Sequence, residues 1–497
     1  MSNLPKCIAV CTCLLATSLA TQVTSAQKRE LPVDTTISSR HEVTVNGKKV
    51  PYVATVGTQP VYGEDGEPVA SLFYTFYERS DITDRSRRPL FISFNGGPGS
   101  GSLWMHLGYT SPKQLIIDDE GYPVQPYGVR DNPHSIIDVA DIVYVNPVNT
   151  GFSRILGEAE REQFFGVNED VAYLAGWIDT FISRRKRWTS PKYLIGESYG
   201  TTRVSGLAGK LQGSHWMYLN GVILVSPTGL GIDRGGPVGR ALYLPYFAAA
   251  AWYHKRLAPE LQSRDLEDLL PEVETFTLDK FIPALSRGGF INDEEKRTIA
   301  AAVARYAGVS ETFVLDNNLA VGASSFWKEL LRDEGYTVGR LDSRYRGIDR
   351  SNAGDRYDYP AELTSWNHAF APAINHYLRD VLGFDTDLRY YLFGPVHPWN
   401  RERDDTGENL RQAVAENPFL HVMLQSGYYD GATDYFSAKY TMWNLDPSGR
   451  LSDRLRFKAY RSGHMMYLRK EDLKSSNDHI REFIRDSMPA EGEPARY

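Results

Sequence analysis

Gly196-Glu197-Ser198-Tyr199-Gly200 follows directly on the apolar run Lys192-Tyr193-Leu194-Ile195. A G-x-S-x-G at the end of such a run reads as strand, sharp turn, helix. The turn forces Ser198 onto a strained elbow with its hydroxyl above the edge of a sheet. The flanking glycines let the chain turn without a Cβ clash. This junction demands a strand before it and a helix after it, and the rest of the chain supplies the same alternation.

Short apolar runs suited to buried parallel strands recur at Pro89–Phe94, Ile142–Asn146, Tyr193–Ile195, Val222–Ser226 and Val422–Gln425. Helical patterns separate them. The clearest is Asn168–Arg184, which lines up Val171, Leu174, Ala175, Ile178 and Phe181 on one face. Ahead of these, His41–Val61 and Glu67–Tyr77 alternate apolar with polar, and Gly63-Glu64-Asp65-Gly66 forms a turn between antiparallel strands. Strand–helix alternation predicts an α/β chain with a mostly parallel central sheet and helices on both faces. From Arg234 to Trp366 the rhythm breaks. Helical patterns such as Leu261–Leu270 and Glu294–Ala307 dominate there. This stretch reads as a mainly helical insertion over the sheet, either a lid that shapes a cleft or a structural cap.

The expected organisation is a signal peptide at 1–26, the first part of the core at 27–233, the insertion at 234–366 and the second part of the core at 367–497. The leader reading rests on Lys6, the apolar stretch Cys7–Ala20 and the small-residue exit Thr24-Ser25-Ala26. A lipid-anchoring cysteine at Cys11 or Cys13 is the alternative. All three cysteines lie in this leader, and the chain has no N-x-S/T sequon. Together these predict a bacterial periplasmic or secreted protein without disulfides. No later segment is apolar enough to span a membrane. The net charge of −7 is spread along the chain, which argues against nucleic acid as a partner. The one basic run, Arg184-Arg185-Lys186-Arg187, closes a helix and reads as a solvated helix end.

A serine becomes a nucleophile when a base lies within hydrogen-bond reach and a carboxylate holds that base. Asp430 follows the strand-like run Phe419–Gln425 in the turn Ser426-Gly427-Tyr428-Tyr429-Asp430-Gly431 and fits the acid. Asp434 is the alternative, four residues deeper. His464 follows the last strand-like run, Leu455–Tyr460, in Arg461-Ser462-Gly463-His464, and fits the base. No other histidine after Ser198 sits directly behind a strand in a glycine turn. An oxyanion hole needs two backbone N–H groups, one of them from the residue after the nucleophile, Tyr199. The other belongs to a loop after an earlier strand, where Asn95-Gly96-Gly97-Pro98-Gly99 stands. This loop lacks the Lys-Ser/Thr of a phosphate cradle. No metal-ligand spacing appears, so the chemistry calls for neither metal nor cofactor.

Four blocks make the chain resemble the serine carboxypeptidase family of α/β-hydrolases: Asn95-Gly96-Gly97-Pro98-Gly99, Asn146 to Ser153, Gly196-Glu197-Ser198-Tyr199-Gly200 and Ser462-Gly463-His464-Met465. The resemblance implies the α/β-hydrolase fold and peptide substrates with a free C-terminus. It implies a triad of Ser198, Asp430 and His464, and oxyanion donors at Gly97 and Tyr199. It also implies a grip on the substrate α-carboxylate by Asn95, Gly96 and Glu197, with a proton shared between carboxyl groups. Where members of the family often carry a second glutamate, this chain has His106, which as a histidinium would join that grip and raise the pH optimum. Asn146 and Tyr428 replace acids usual in the family. An acyltransferase or esterase could use the same triad, and a non-catalytic envelope binding protein could use the same scaffold.

Overall fold

The computed structural model describes residues 1–2 and 30–496. The leader expected at 1–26 lies outside the described residues, apart from its first two. Leu31–Tyr497 forms one compact unit.

Nine strands form the path of the central sheet: β1 Thr35–Val45, β2 Lys48–Tyr62, β3 Pro68–Arg79, β4 Leu90–Phe94, β5 Asp141–Val145, β6 Lys192–Glu197, β7 Gly221–Val225, β8 His421–Gly427 and β9 Leu455–Tyr460. Their spatial order is β1-β2-β3-β5-β4-β6-β7-β8-β9, and the short strand Arg154–Ile155 pairs with β3 off that path. The first three strands run antiparallel and join β5 antiparallel. From β5 to β9 every pairing is parallel. Chain order reverses around β4, whose neighbours are β5 and β6. The carboxyl ends of β4 and β6 therefore flank a topological switch point, where open α/β sheets leave a crevice.

Parallel strands β4 to β8 are buried on both faces, and their side chains alternate between two apolar layers, while the edge strand β9 is half-buried. Phe91, Tyr193, Ile195, Ile223, Val225 and Met423 point into one layer. Helices Ala361–His376 and Lys470–Ser487 cover it through residues such as Trp366, Phe370, Ile480 and Phe483. Leu90, Ile92, Phe94, Leu194, Leu224 and Leu424 point into the other layer, against helices Val167–Arg184 and Tyr199–His215. Strand–helix alternation in the sequence thus becomes a three-layer packing.

The stretch beyond Gly236 is mainly helical and holds an apolar core of its own, running from Ala241 to Val338 and including Tyr429, Tyr435 and Phe436. The Leu261–Leu270 pattern divides into helices Pro259–Gln262 and Leu266–Phe276. Asp265 causes the break: its side chain caps the second helix by accepting from the Glu267 N–H.

The basic run at the end of Val167–Arg184 is not a solvated helix end throughout. Arg187 is fully buried, with Nη1 2.7 Å from Asp141 Oδ2. Arg88 and Arg85 reach the same carboxylate at 2.9 and 3.0 Å. Asp141, also buried, needs those cations to offset its desolvation, which a reading of the helix alone misses.

Candidate active site

Ser198 stands between β6 and helix Tyr199–His215 with φ 58° and ψ −126°, a left-handed backbone that a non-glycine residue adopts at a cost. Its N–H donates to Val225 O on the neighbouring strand at 2.9 Å. Glycine is required at 196, because a Cβ there would stand 2.2 Å from Gly200 O. The elbow places Ser198, half-buried, at the N-terminus of a 17-residue helix, where the helix dipole favours developing negative charge.

Asp430 and His464 come from the loops behind the adjacent strands β8 and β9. His464 Nδ1 lies 2.7 Å from Asp430 Oδ2. The N–H groups of Ala432 and Thr433 donate to Asp430 Oδ1 at 2.8 and 3.1 Å. Thr433 Oγ1 lies 2.7 Å from Asp430 Oδ2, 3.0 Å from Ser226 O and 3.2 Å from His464 Nδ1. Burial alone would raise the Asp430 pKa, yet the facing His464 and the Thr433 bonds hold it below the usual carboxylate value. For His464 burial works downward, and the Asp430 charge and hydrogen bond with the Glu197 charge outweigh it and raise its pKa. Asp434, the alternative acid, instead caps helix Tyr435–Leu445 by accepting from the Ser437 N–H.

Both loops are held from the helical side. His464 N–H donates to Leu341 O at 2.7 Å, and Gly431 N–H donates to Arg340 O at 2.9 Å. Ser343 N–H donates to Tyr429 O at 2.9 Å. The segment 339–345 is thus a strap laced to the acid and base loops. The Glu362 carboxyl accepts from Leu341 N–H at 2.8 Å behind it.

The Asn95–Gly99 loop leaves β4 and lies against the elbow. A Cβ on Gly96 would stand 2.5 Å from Tyr199 N and 2.9 Å from Ser198 Cβ, so only glycine permits this approach. Arg203 holds the loop from below by donating to Asn95 O at 2.7 Å and Pro98 O at 3.3 Å. Its charge is balanced by Asp170, 2.6 Å away and equally buried. Asn146 accepts from the Ser102 N–H at 2.7 Å, which ties the Asn146–Ser153 block to the same loop.

Glu197 is 2 % exposed. Asn95 Nδ2 donates to its Oε2, and Tyr467 Oη donates to its Oε1 at 2.9 Å. Asn95 is itself oriented by the Met105 N–H, which donates to its Oδ1 at 3.0 Å. Burial is the largest influence on Glu197 and pushes its pKa from 4.5 up to about 7. Below neutral pH the carboxyl therefore mostly retains a proton and can donate a hydrogen bond to an anion.

His106 takes no part in this group and corrects the sequence reading. It opens a π-helical turn, His106–Thr110, and is 3 % exposed. Its Nε2 lies 2.6 Å from Tyr77 Oη, and its ring stacks on Tyr144 at 4.6 Å. Burial drives its pKa down to about 3, so the ring stays neutral and offers no histidinium to a substrate. The second partner of Glu197 is Tyr467, three residues beyond His464. Sequence reasoning also passed over Thr433, the Arg203–Asp170 pair and the strap. None of them carries a motif; position relative to Asp430 and His464 was the only signal for Thr433 and Tyr467.

A serine on a strand–helix elbow, an Asp–His pair behind the next parallel strands and a glycine loop against the elbow define an α/β-hydrolase. Comparison with known proteins narrows the class. A family model described as serine carboxypeptidase matches residues 62–225. Serine carboxypeptidase-like 35 of Arabidopsis thaliana is 29% identical over 142 residues, 28% of this chain and 27% of the relative. The match thus spans about a quarter of that curated relative. Among solved structures, Kex1Δp, a prohormone-processing carboxypeptidase of Saccharomyces cerevisiae, superposes with a TM-score of 0.53 at 16% identity, covering 88% of this chain and 92% of the other. That likeness shows a shared fold. Over residues 62–225 the chain is thus similar to serine carboxypeptidases, on an α/β-hydrolase fold.

Proposed function

We propose that the protein is a serine-type carboxypeptidase that releases C-terminal residues from peptides through an acyl-enzyme. Ser198 Oγ attacks the last peptide carbonyl and passes its proton to His464 Nε2, while Nδ1–H stays bonded to Asp430. The N–H groups of Gly97 and Tyr199 receive the oxyanion. His464 returns the proton to the departing amine, and water then repeats the sequence on the acyl group. The substrate α-carboxylate is held by Asn95, the Gly96 N–H and protonated Glu197. No metal or cofactor enters any step.

The observation that carries this reading is the buried Asn95–Glu197–Tyr467 group one residue from Ser198. A general esterase has no use for a protonated carboxyl there; an enzyme that grips a free C-terminus does. The helical segment 234–366 forms a wall of the cleft in this reading. Residues 1–26 serve as an export leader, and the mature protein works in the periplasm or outside the cell. No helix among the described residues is long and apolar enough to cross a membrane.

Digestion of a mixed peptide pool, read by mass, tests the assignment. A C-terminal ladder is expected, abolished by amidation of the C-terminus. Ser198→Ala should lower kcat by about 10⁶-fold. Internal cleavage, or transfer of acyl groups to added alcohol without release of amino acids, would overturn it.

A further inference from the structure

Arg340 is held at the mouth of the triad by its backbone. Its carbonyl oxygen accepts from Gly431 N–H at 2.9 Å, the residue after Asp430, and the next carbonyl, of Leu341, accepts from His464 N–H at 2.7 Å. These bonds fix its Cα between the acid and base loops whatever side chain it carries. Neighbouring arginines are occupied: Arg344 of the strap lies 2.7 Å from Asp342, and Arg346 just beyond it lies 3.4 Å from Glu334. The Arg340 side chain is exposed, and no hydrogen bond or ion pair is found for its guanidinium among the described residues. Arg461 of the base loop and Arg256 of the helical side reach Asp265 and Asp333 at 2.6 and 2.5 Å.

The charge of Arg340 is felt at His464, Tyr243, Tyr357 and the buried Glu362. Tyr243 feels Arg234 as well, a half-buried arginine for which no hydrogen bond or ion pair is found among the described residues. Among the acids nearby, Asp430 is bound to His464 and Asp434 caps a helix, while Glu362 is fully buried, gives one oxygen to the Leu341 N–H and leaves Oε2 without a hydrogen bond. At His464 the guanidinium opposes Asp430 and Glu197, lowering a pKa that they raise. An unpaired cation there weakens the base until an anion arrives.

Resting on the carboxypeptidase reading above, we propose that Arg340 is a specificity-determining residue that selects peptides bearing an acidic side chain next to the scissile bond. The substrate carboxylate would pair with the free guanidinium at the cleft mouth, separate from the clamp at Glu197 that holds the terminal α-carboxylate. Pairing also relieves the opposition at His464, so the preference acts on kcat as well as KM.

The test compares kcat/KM for peptide pairs that differ only by Asp/Asn or Glu/Gln, at the last residue in one set and at the preceding residue in another. Wild-type enzyme should favour the acidic member by about three- to fivefold at one of these positions, the range of a solvent-exposed ion pair. The preferred position identifies the side of the bond that Arg340 reads. Arg340→Gln should bring the acidic-to-neutral ratio close to one, Arg340→Glu should invert it, and Arg340→Lys should retain it. Added salt should erode the wild-type ratio. A wild-type ratio of one, or a ratio indifferent to Arg340→Glu, overturns the proposal while leaving carboxypeptidase activity standing. Failure to release C-terminal residues from any peptide overturns both.

Discussion

Glu197→Gln tests the proposed carboxylate clamp separately from the rest of the site. The native carboxyl is buried and its pKa rises from 4.5 to about 7, so it binds a proton more tightly folded than unfolded. Between these values the unfolded chain releases the proton first, and the folded state loses stability as pH rises. At about 1.4 kcal/mol per pKa unit, the wild type should lose about 3 kcal/mol between pH 4.5 and 8 that the glutamine variant does not lose. Urea unfolding of both proteins across that range gives the difference directly, because contributions common to the two cancel. Kinetics supply a second reading of the same proton. Above pH 7 the wild-type KM for peptides should rise about tenfold per pH unit as the clamp ionises and repels the terminal carboxylate. Glutamine keeps a donor at all pH values, so the KM of the variant should stay flat. Parallel loss of stability in both proteins would refute the reasoning, since it would mean that Glu197 ionises near its ordinary value.

His106→Leu should leave the pH profile of kcat/KM on top of the wild type while costing about 2–4 kcal/mol through the lost packing and the Tyr77 hydrogen bond; an altered profile would restore His106 to the site. Because His106 is neutral when folded and ionises near 6.5 when unfolded, its contribution to stability falls as pH drops from 6.5 towards 3, and the leucine variant should lose that dependence. Arg203→Met leaves Asp170 buried without its cation and should cost about 3–5 kcal/mol in urea unfolding. The same variant frees Asn95 O and Pro98 O and should depress kcat more than KM, and Asp170→Leu added to it should recover much of the stability.

Local chemistry alone determined several features. A strand that must turn through a G-x-S-x-G has few conformations open to it, so the β6–elbow–helix unit is legible without a partner in view. The apolar runs at Pro89–Phe94 and Val422–Gln425 carry the same information, because strands buried on both faces need unbroken apolar sequence. Asp430 and His464 were readable for a related reason: each stands in a glycine turn directly behind such a run. What the sequence left open depends on which face a residue presents and what lies across from it. His106 is as polar on paper as any clamp residue, but the turn His106–Thr110 seats it between Tyr77 and Tyr144, where desolvation keeps it uncharged. Arg187 reads as the end of a basic run and lies buried beside Asp141. Tyr467 and Thr433 acquire their roles only once Glu197 and the Asp430–His464 pair come within hydrogen-bond reach. Hydrogen bonds and desolvation are properties of a place in space, and residues hundreds of positions apart in the chain share that place only after the sheet has closed its order around β4.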